Sequence, residues 1–169
     1  LATWNIQVSN NLLFDGTEVG LTAGVPGGTS DGTAVSHAGT DAAAGKFVAD
    51  GDAGATTTDP DDDDTDGDRL LDGAEDANHD GVTTYTLGGT GTDGSGETNP
   101  RDLDTDNDGL DDGDERLGEG PLASFGASDP LDTDTDDGWI DDGTEALIDG
   151  TDPDQASDYI ACGNAQLTS

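Results

Sequence analysis

Apolar and polar residues alternate strictly at the start of the chain. Ala2, Trp4, Ile6 and Val8 stand against Thr3, Asn5, Gln7 and Ser9. Such a period of two predicts a strand with one buried face over 1–9. Two further stretches, LLFDGTEVGLT (12–22) and GKFVAD (45–50), are the partners that residues 1–57 offer it. Beyond residue 58 the pattern changes. Apolar residues become isolated, and Leu70, Val82, Leu110 and Ile140 each stand inside a long polar stretch. Neither a helical stripe nor a strand alternation runs through that region, and its density of Gly and Asp disfavours helix. The expected fold is mostly irregular and β, with repeat loops, little helix and a small N-terminal β region. Short helical turns are expected after Glu115 and after Glu145, through Ala146-Leu147-Ile148.

The polar stretches repeat. Four tripeptides of the form [ST]-[DN]-P begin at Thr58, Thr98, Ser128 and Thr151. After the first three prolines an Asp follows four residues on (Asp64, Asp104, Asp134), and a Glu closes each segment eleven residues later (Glu75, Glu115, Glu145). Internal repeats of this size imply small stacked modules rather than one globule. The chain therefore divides into 1–57, the repeats of 58–154, and a tail of 155–169 that carries the apolar patch Tyr159-Ile160-Ala161-Cys162. Directly after Glu75, DANHDGV (76–82) restarts the pattern, and the Gly-rich stretch 83–95 reads as an inserted hairpin.

Spacing assigns the chemistry. In a 12-residue calcium loop, positions 1, 3, 5 and 9 and a Glu at 12 surround the ion, with a backbone carbonyl at 7 and Gly at 6 for the turn. Residues 104–115 supply Asp104, Asp106, Asp108, Gly109, Leu110, Asp112 and Glu115 in that register. Residues 64–75 supply Asp64, Asp66, Asp68, Leu70, Asp72 and Glu75, with Arg69 in place of the glycine. Residues 134–145 supply Asp134, Asp136, Ile140, Asp142 and Glu145; Gly138 stands at position 5, so Asp132, Asp137 or water is left to complete the site. The fourth loop offers Asp76, Asn78, Asp80 and the Val82 carbonyl, with Glu97 as a remote closing ligand. At position 7 the carbonyl is expected to face the ion and the side chain a thin core. All-oxygen sites rich in carboxylates select Ca2+ over Mg2+ and softer metals, and about four or more ions are expected.

Composition sharpens this reading. The 169 residues carry 40 acidic and 4 basic side chains, a formal charge of −36. Leu, Ile, Val and Phe together number 27, about a sixth of the chain. Low apolar content with high charge marks disorder unless something else orders the chain. Of the acids 34 are Asp and 6 are Glu, a bias that suits fixed ligand positions in tight turns better than a solvated acidic surface. The charge argues against nucleic acid as a partner. No apolar run is long enough to span a membrane. Neither a nucleophile–base set nor a phosphate loop is visible, so a non-enzymatic role is expected. The single cysteine, Cys162, has no partner in the chain for a disulfide. A start at Leu1 rather than Met fits a processed precursor or a fragment.

The motifs T-D-P-x-x-x-D-T-D (58–66), D-G-L-x-D-G-x-E (108–115) and E-D-A-N-x-D-G (75–81) resemble thrombospondin type 3 calcium-binding repeats, in the form common on bacterial surface proteins. The resemblance covers 58–154. It implies an irregular, calcium-wrapped fold, an extracellular or cell-surface location and a structural or adhesive role. It also supports Asp64, Asp66, Asp68, Asp104, Asp106, Asp108, Asp134 and Asp136 as ligands. Two roles are compatible with a core-poor chain whose N-terminus carries an amphipathic strand. One is a filament subunit that self-associates into a homopolymer by donating the 1–9 strand. The other is the calcium-rigidified stalk or ligand-binding part of an adhesin.

Overall fold

The computed structural model describes residues Gly20, 22–23, 28–29, 36–37, 50–59, 61–89 and 93–157. The expected donor strand at 1–9, most of 12–22 and 45–50, and Cys162 lie outside the described residues. Two compact units divide the chain: Leu1–Thr84 with Asn99–Asp102, and Tyr85–Thr98 with Leu103–Ser169.

Regular structure is scarce, as expected. In the first unit β1 (Gly28–Thr29) pairs antiparallel with β2 (Ser36–His37), and one helical turn, α1, spans Asp72–Glu75. In the second unit β3 (Tyr85–Thr86) pairs with β4 (Ser95–Gly96), the hairpin read from the Gly-rich insertion. There α2 (Asp112–Leu117) leads through Gly118 to a 3-10 turn at Gly120–Leu122. Last, α3 (Asp142–Thr144) widens into a π-helical turn over Glu145–Asp149. Each D-G-x-E segment is thus itself the helical turn. It begins three residues before the closing Glu, earlier than the sequence suggested.

No large apolar core holds these elements. Among the described residues the buried hydrophobic side chains are Leu70, Leu110, Leu122 and Leu131. Most of the buried side chains are instead carboxylates and threonines. Of the four position-7 residues, Leu70 and Leu110 are buried as expected, whereas Val82 and Ile140 are only half-buried.

Hydrogen bonds within the tripeptides explain the repeat. The backbone folds back three residues on, from Asp62 N to Asp59 O (2.9 Å) and from Asp132 N to Asp129 O (2.9 Å), the turn expected with Pro at its second position. The next loop anchors the tripeptide through its own Thr: Asp59 N donates to Thr65 Oγ1 and Asp129 N to Thr135 Oγ1, both at 2.9 Å. The leading hydroxyl grips the preceding loop. Ser128 Oγ donates to Glu115 Oε1 (2.9 Å) and Thr151 Oγ1 to Glu145 Oε1 (3.2 Å). Ser128-Asp129-Pro130 has both links and is a joint between a finished loop and the next.

The loop turn demands a left-handed residue at position 6. Gly81 (φ 76°) and Gly109 (φ 103°) supply it, and Arg69 (φ 84°) and Trp139 (φ 74°) adopt it despite their side chains. The departures from glycine therefore change strain rather than path. At Gly109 an added Cβ would have open space, its nearest neighbour Leu147 Cδ1 at 4.0 Å. Gly109→Ala should then cost about 1–2 kcal/mol from backbone conformation alone, and Arg69→Gly should recover a similar amount. Urea denaturation at saturating calcium reads both.

Candidate metal centre

Position-1 aspartates organise each loop through both carboxylate oxygens. Asp104 Oδ1 accepts from Asn107 N (2.7 Å) and Oδ2 from Gly109 N (2.9 Å). Asp64 accepts from Gly67 N (2.8 Å) and Arg69 N (2.9 Å). Asp134 does so from Gly138 N (2.8 Å) and Trp139 N (2.9 Å), and Asp76 from Asp80 N (3.3 Å) and Gly81 N (2.9 Å). Local chain geometry enforces this, because an Asp side chain reaches backbone N–H groups a few residues ahead when the turn is tight.

Positions 3 and 5 behave differently, and the difference is informative. Asp66 and Asp106 each spend Oδ1 on a backbone amide, of Asp68 (3.3 Å) and Asp108 (3.2 Å) respectively. Their Oδ2 atoms are buried and accept no hydrogen bond. Asp68 Oδ1 accepts from Leu70 N (2.7 Å), Asp80 Oδ1 from Val82 N (3.0 Å) and Asp108 Oδ1 from Leu110 N (2.8 Å). Glu115 follows the same division: Oε1 takes the Ser128 hydroxyl, and Oε2 is buried with no hydrogen-bond partner. In Asp142, Oδ1 accepts from Thr135 N (2.9 Å) and Oδ2 has no partner. In Asp66, Asp106, Glu115 and Asp142 one oxygen is held by the protein and the other is buried without a hydrogen bond, whereas Asp104 and Asp108 have both oxygens hydrogen-bonded. A buried anionic oxygen left without a partner carries a heavy desolvation penalty, which a cation removes.

Carboxylates of these loops gather closely. Asp64, Asp66 and Asp68 bring ligand atoms within 4.8 Å of one another in the first unit. In the second unit Asp104, Asp106 and Asp108 do the same, and so do Asp108, Glu115 and Asp142. Asp108 belongs to both groups, and its Oδ2 also accepts from Gly143 N (2.9 Å). Asp142 thus gathers with the closing Glu of the preceding loop. The sequence reading had placed it at position 9 of its own loop. Position 9 is tied locally in all three long loops: Asp72 accepts from Thr65 N (2.7 Å) and Oγ1 (2.9 Å), Asp112 from Thr105 N (2.8 Å) and its hydroxyl, and Asp142 from Thr135 N (2.9 Å).

The third and fourth loops gather fewer acids. Asp134 is buried and Asp136 half-buried, but Gly138 brings no carboxylate. Of the candidates to complete that loop, Asp132 is buried and takes Gly89 N (2.7 Å) on Oδ1, while Asp137 is exposed. In the fourth loop Asp76 is buried, Asp80 half-buried and Asn78 exposed; Glu97 is buried in the second unit. Glu75 and Glu145 are fully buried, as the closing position requires.

Electrostatics records the strain of assembling these groups. Burial, reinforced by the charges of Asp108 and Asp104, pushes Asp106 up to about 8. Burial with the charges of Asp108 and Asp106 pushes Glu115 to about 10. Asp142 rises to about 7 and Asp108 to about 6, each mainly by burial and against opposing hydrogen bonds. Asp66 rises to about 6 through burial and its neighbour Asp68. Two carboxylates about 5 Å apart repel by roughly 3 kcal/mol at an effective dielectric near 20. The donor set is hard, anionic and all-oxygen, the chemistry of a Ca2+ site.

Compared with protein-family models, curated proteins and solved structures, the chain finds no match. No helix among the described residues is long and apolar enough to cross a membrane.

Proposed function

We propose that this chain is a non-enzymatic, calcium-stabilised extracellular structural protein. The observation that carries the reading is the gathering of carboxylates within 4.8 Å of one another, several of them (Asp66, Asp106, Glu115, Asp142) with one buried oxygen that accepts no hydrogen bond. Ca2+ at the Asp64–Asp66–Asp68, Asp104–Asp106–Asp108 and Asp108–Glu115–Asp142 groups would neutralise charges that otherwise oppose folding. Binding and folding are then one event, since the ligand sets form only in the folded chain.

The role that best joins these properties is subunit of a surface filament assembled by strand donation. Support comes from the alternating 1–9 segment and from the scarcity of apolar core in the described residues. Calcium removal tests both halves. After chelation at neutral pH, far-UV circular dichroism should lose its turn signal and the hydrodynamic radius should grow toward that of an unfolded chain; calcium should restore both. Electron micrographs of the same samples should show filaments with calcium and none without it. Compact particles that never polymerise would favour an adhesin stalk. A chain indifferent to chelation would overturn the calcium reading.

A further inference from the structure

Each loop contains an Asp-Gly pair: Asp66-Gly67, Asp80-Gly81, Asp108-Gly109 and Asp137-Gly138. Such a bond is chemically weak in a flexible chain. Glycine has no Cβ to obstruct approach to its amide, and the Asp carboxyl carbon is near enough to close a five-membered ring on it. In every loop the structure holds that glycine amide on the Asp at position 1. Gly67 N donates to Asp64 Oδ1 (2.8 Å) and Gly81 N to Asp76 Oδ2 (2.9 Å). Gly109 N donates to Asp104 Oδ2 (2.9 Å) and Gly138 N to Asp134 Oδ1 (2.8 Å). The glycine stands at position 4, 6, 6 or 5 of its loop, so the register varies and the grip does not.

Three of the carboxylates that would react are held as well. Asp66 Oδ1 accepts from Asp68 N (3.3 Å) and Asp80 Oδ1 from Val82 N (3.0 Å). Asp108 is held at both oxygens, by Leu110 N (2.8 Å) and Gly143 N (2.9 Å). Around Asp80-Gly81 the backbone is clamped too: Gly51 N donates to Asp80 O (2.7 Å) and Thr56 Oγ1 to Gly81 O (2.8 Å). In these three pairs both partners of the ring closure are engaged elsewhere while the loop is closed.

We propose that the four bonds are latent sites of aspartate isomerisation, silenced by the closed loops and released when a loop opens. In an open loop the glycine nitrogen attacks the Asp Cγ. The N–Cγ bond forms, and the amide proton and the carboxyl hydroxyl leave as water, giving a succinimide. Water then adds at the Asp backbone carbonyl and breaks its bond to the nitrogen, so the chain runs on through Cβ and Cγ. The water lost is regained, and no other reactant is required. The isoaspartate carries one more carbon in the backbone and one fewer in the side chain. At Asp66, Asp80 and Asp108 it breaks the spacing on which the ligand register depends. A loop left open therefore ages into one that no longer rebinds its ion. The shielding follows from loop closure alone; that calcium keeps the loops closed rests on the reading above.

The full-length chain is aged at neutral pH in saturating calcium, in chelator and in urea, and isoaspartate is mapped by electron-transfer mass spectrometry. All four bonds should isomerise in urea, and at least about tenfold more slowly in calcium, because reaction then waits on local opening. The chelated chain should follow the urea rate. Asp104→Ala, read in calcium, removes the grip on Gly109. Asp108-Gly109 should then speed up at least about tenfold while Asp66-Gly67 stays slow. If both speed up, the variant has opened the whole chain, and the wild-type ratio of calcium to urea rates decides. Loop bonds that isomerise as fast in calcium as in urea overturn the proposal, as does an unmoved Asp108-Gly109 rate in Asp104→Ala. Protection that survives chelation upholds the closed-loop shield and overturns calcium as what closes it.

Discussion

Asp108→Asn should be the most damaging single substitution in the repeats when calcium is present, and harmless or stabilising when it is absent. Asp108 contributes to both carboxylate groups of the second unit. Its Oδ1 fixes Leu110 N, the backbone of a fully buried side chain, and its Oδ2 reaches Gly143 N thirty-five residues on. Losing its charge weakens two ion sites at once. The expected loss in calcium is about 3–5 kcal/mol, the range for removing one partner from a buried charge interaction. Without calcium the sign reverses. The same carboxylate is then one of several buried like charges, and neutralising it relieves repulsion. Asp111→Asn is the control, because Asp111 is exposed and makes no side-chain cap bond to α2. Urea midpoints of the three proteins in saturating calcium, and the folded fraction left after chelation read by far-UV circular dichroism, decide the matter. Equal destabilisation in both conditions would mean that Asp108 acts only through its hydrogen bonds.

The second large effect is a reversal of pH dependence by calcium. In the metal-free fold Asp66, Asp108, Asp142, Asp106 and Glu115 titrate near 6, 6, 7, 8 and 10, all above ordinary carboxylates. Between those values and about 4 the folded chain holds more protons than the unfolded one. Its stability is therefore full below about pH 4 and falls as pH rises through 6 to 10, by up to about 1.4 kcal/mol per pH unit for each such group. Calcium takes the protons' place, so the loaded fold should weaken on acidification as protons compete for the ligands. Dialysed, metal-free protein should hold more folded structure at pH 4.5 than at pH 7.5; in saturating calcium the melting temperature should instead be higher at pH 7.5 than at pH 4.5. A metal-free folded content that climbs with pH would show that these carboxylates are not gathered as described.

The tight turns that open at Asp64, Asp104 and Asp134 were legible because their geometry is local. An Asp at position 1 captures amides three to five residues ahead, and alternate residues in a tight turn share its concave face, so spacing alone reveals them. The hairpin at 83–95 was legible for a similar reason: Gly-rich polar residues between short extended runs leave few other conformations. The tripeptides were visible as a pattern, but their links to the preceding loops were not. These depend on Ser128 meeting Glu115 and Thr151 meeting Glu145 after the intervening chain has closed.

The sequence by itself determined the chemistry: acidic side chains in a repeating register, little apolar matter, and a large negative charge. Only the tertiary structure decided which carboxylates share a point. Asp142 joins Asp108 and Glu115 because α3 starts against the neighbouring loop, with Gly143 N on Asp108 Oδ2. Segment 51–56 meets the 76–82 loop through Gly51 N on Asp80 O and Thr56 Oγ1 on Gly81 O. Spacing along a chain fixes neighbours within a turn. It does not fix which turns come to rest against one another, since that follows from the closure of the whole fold.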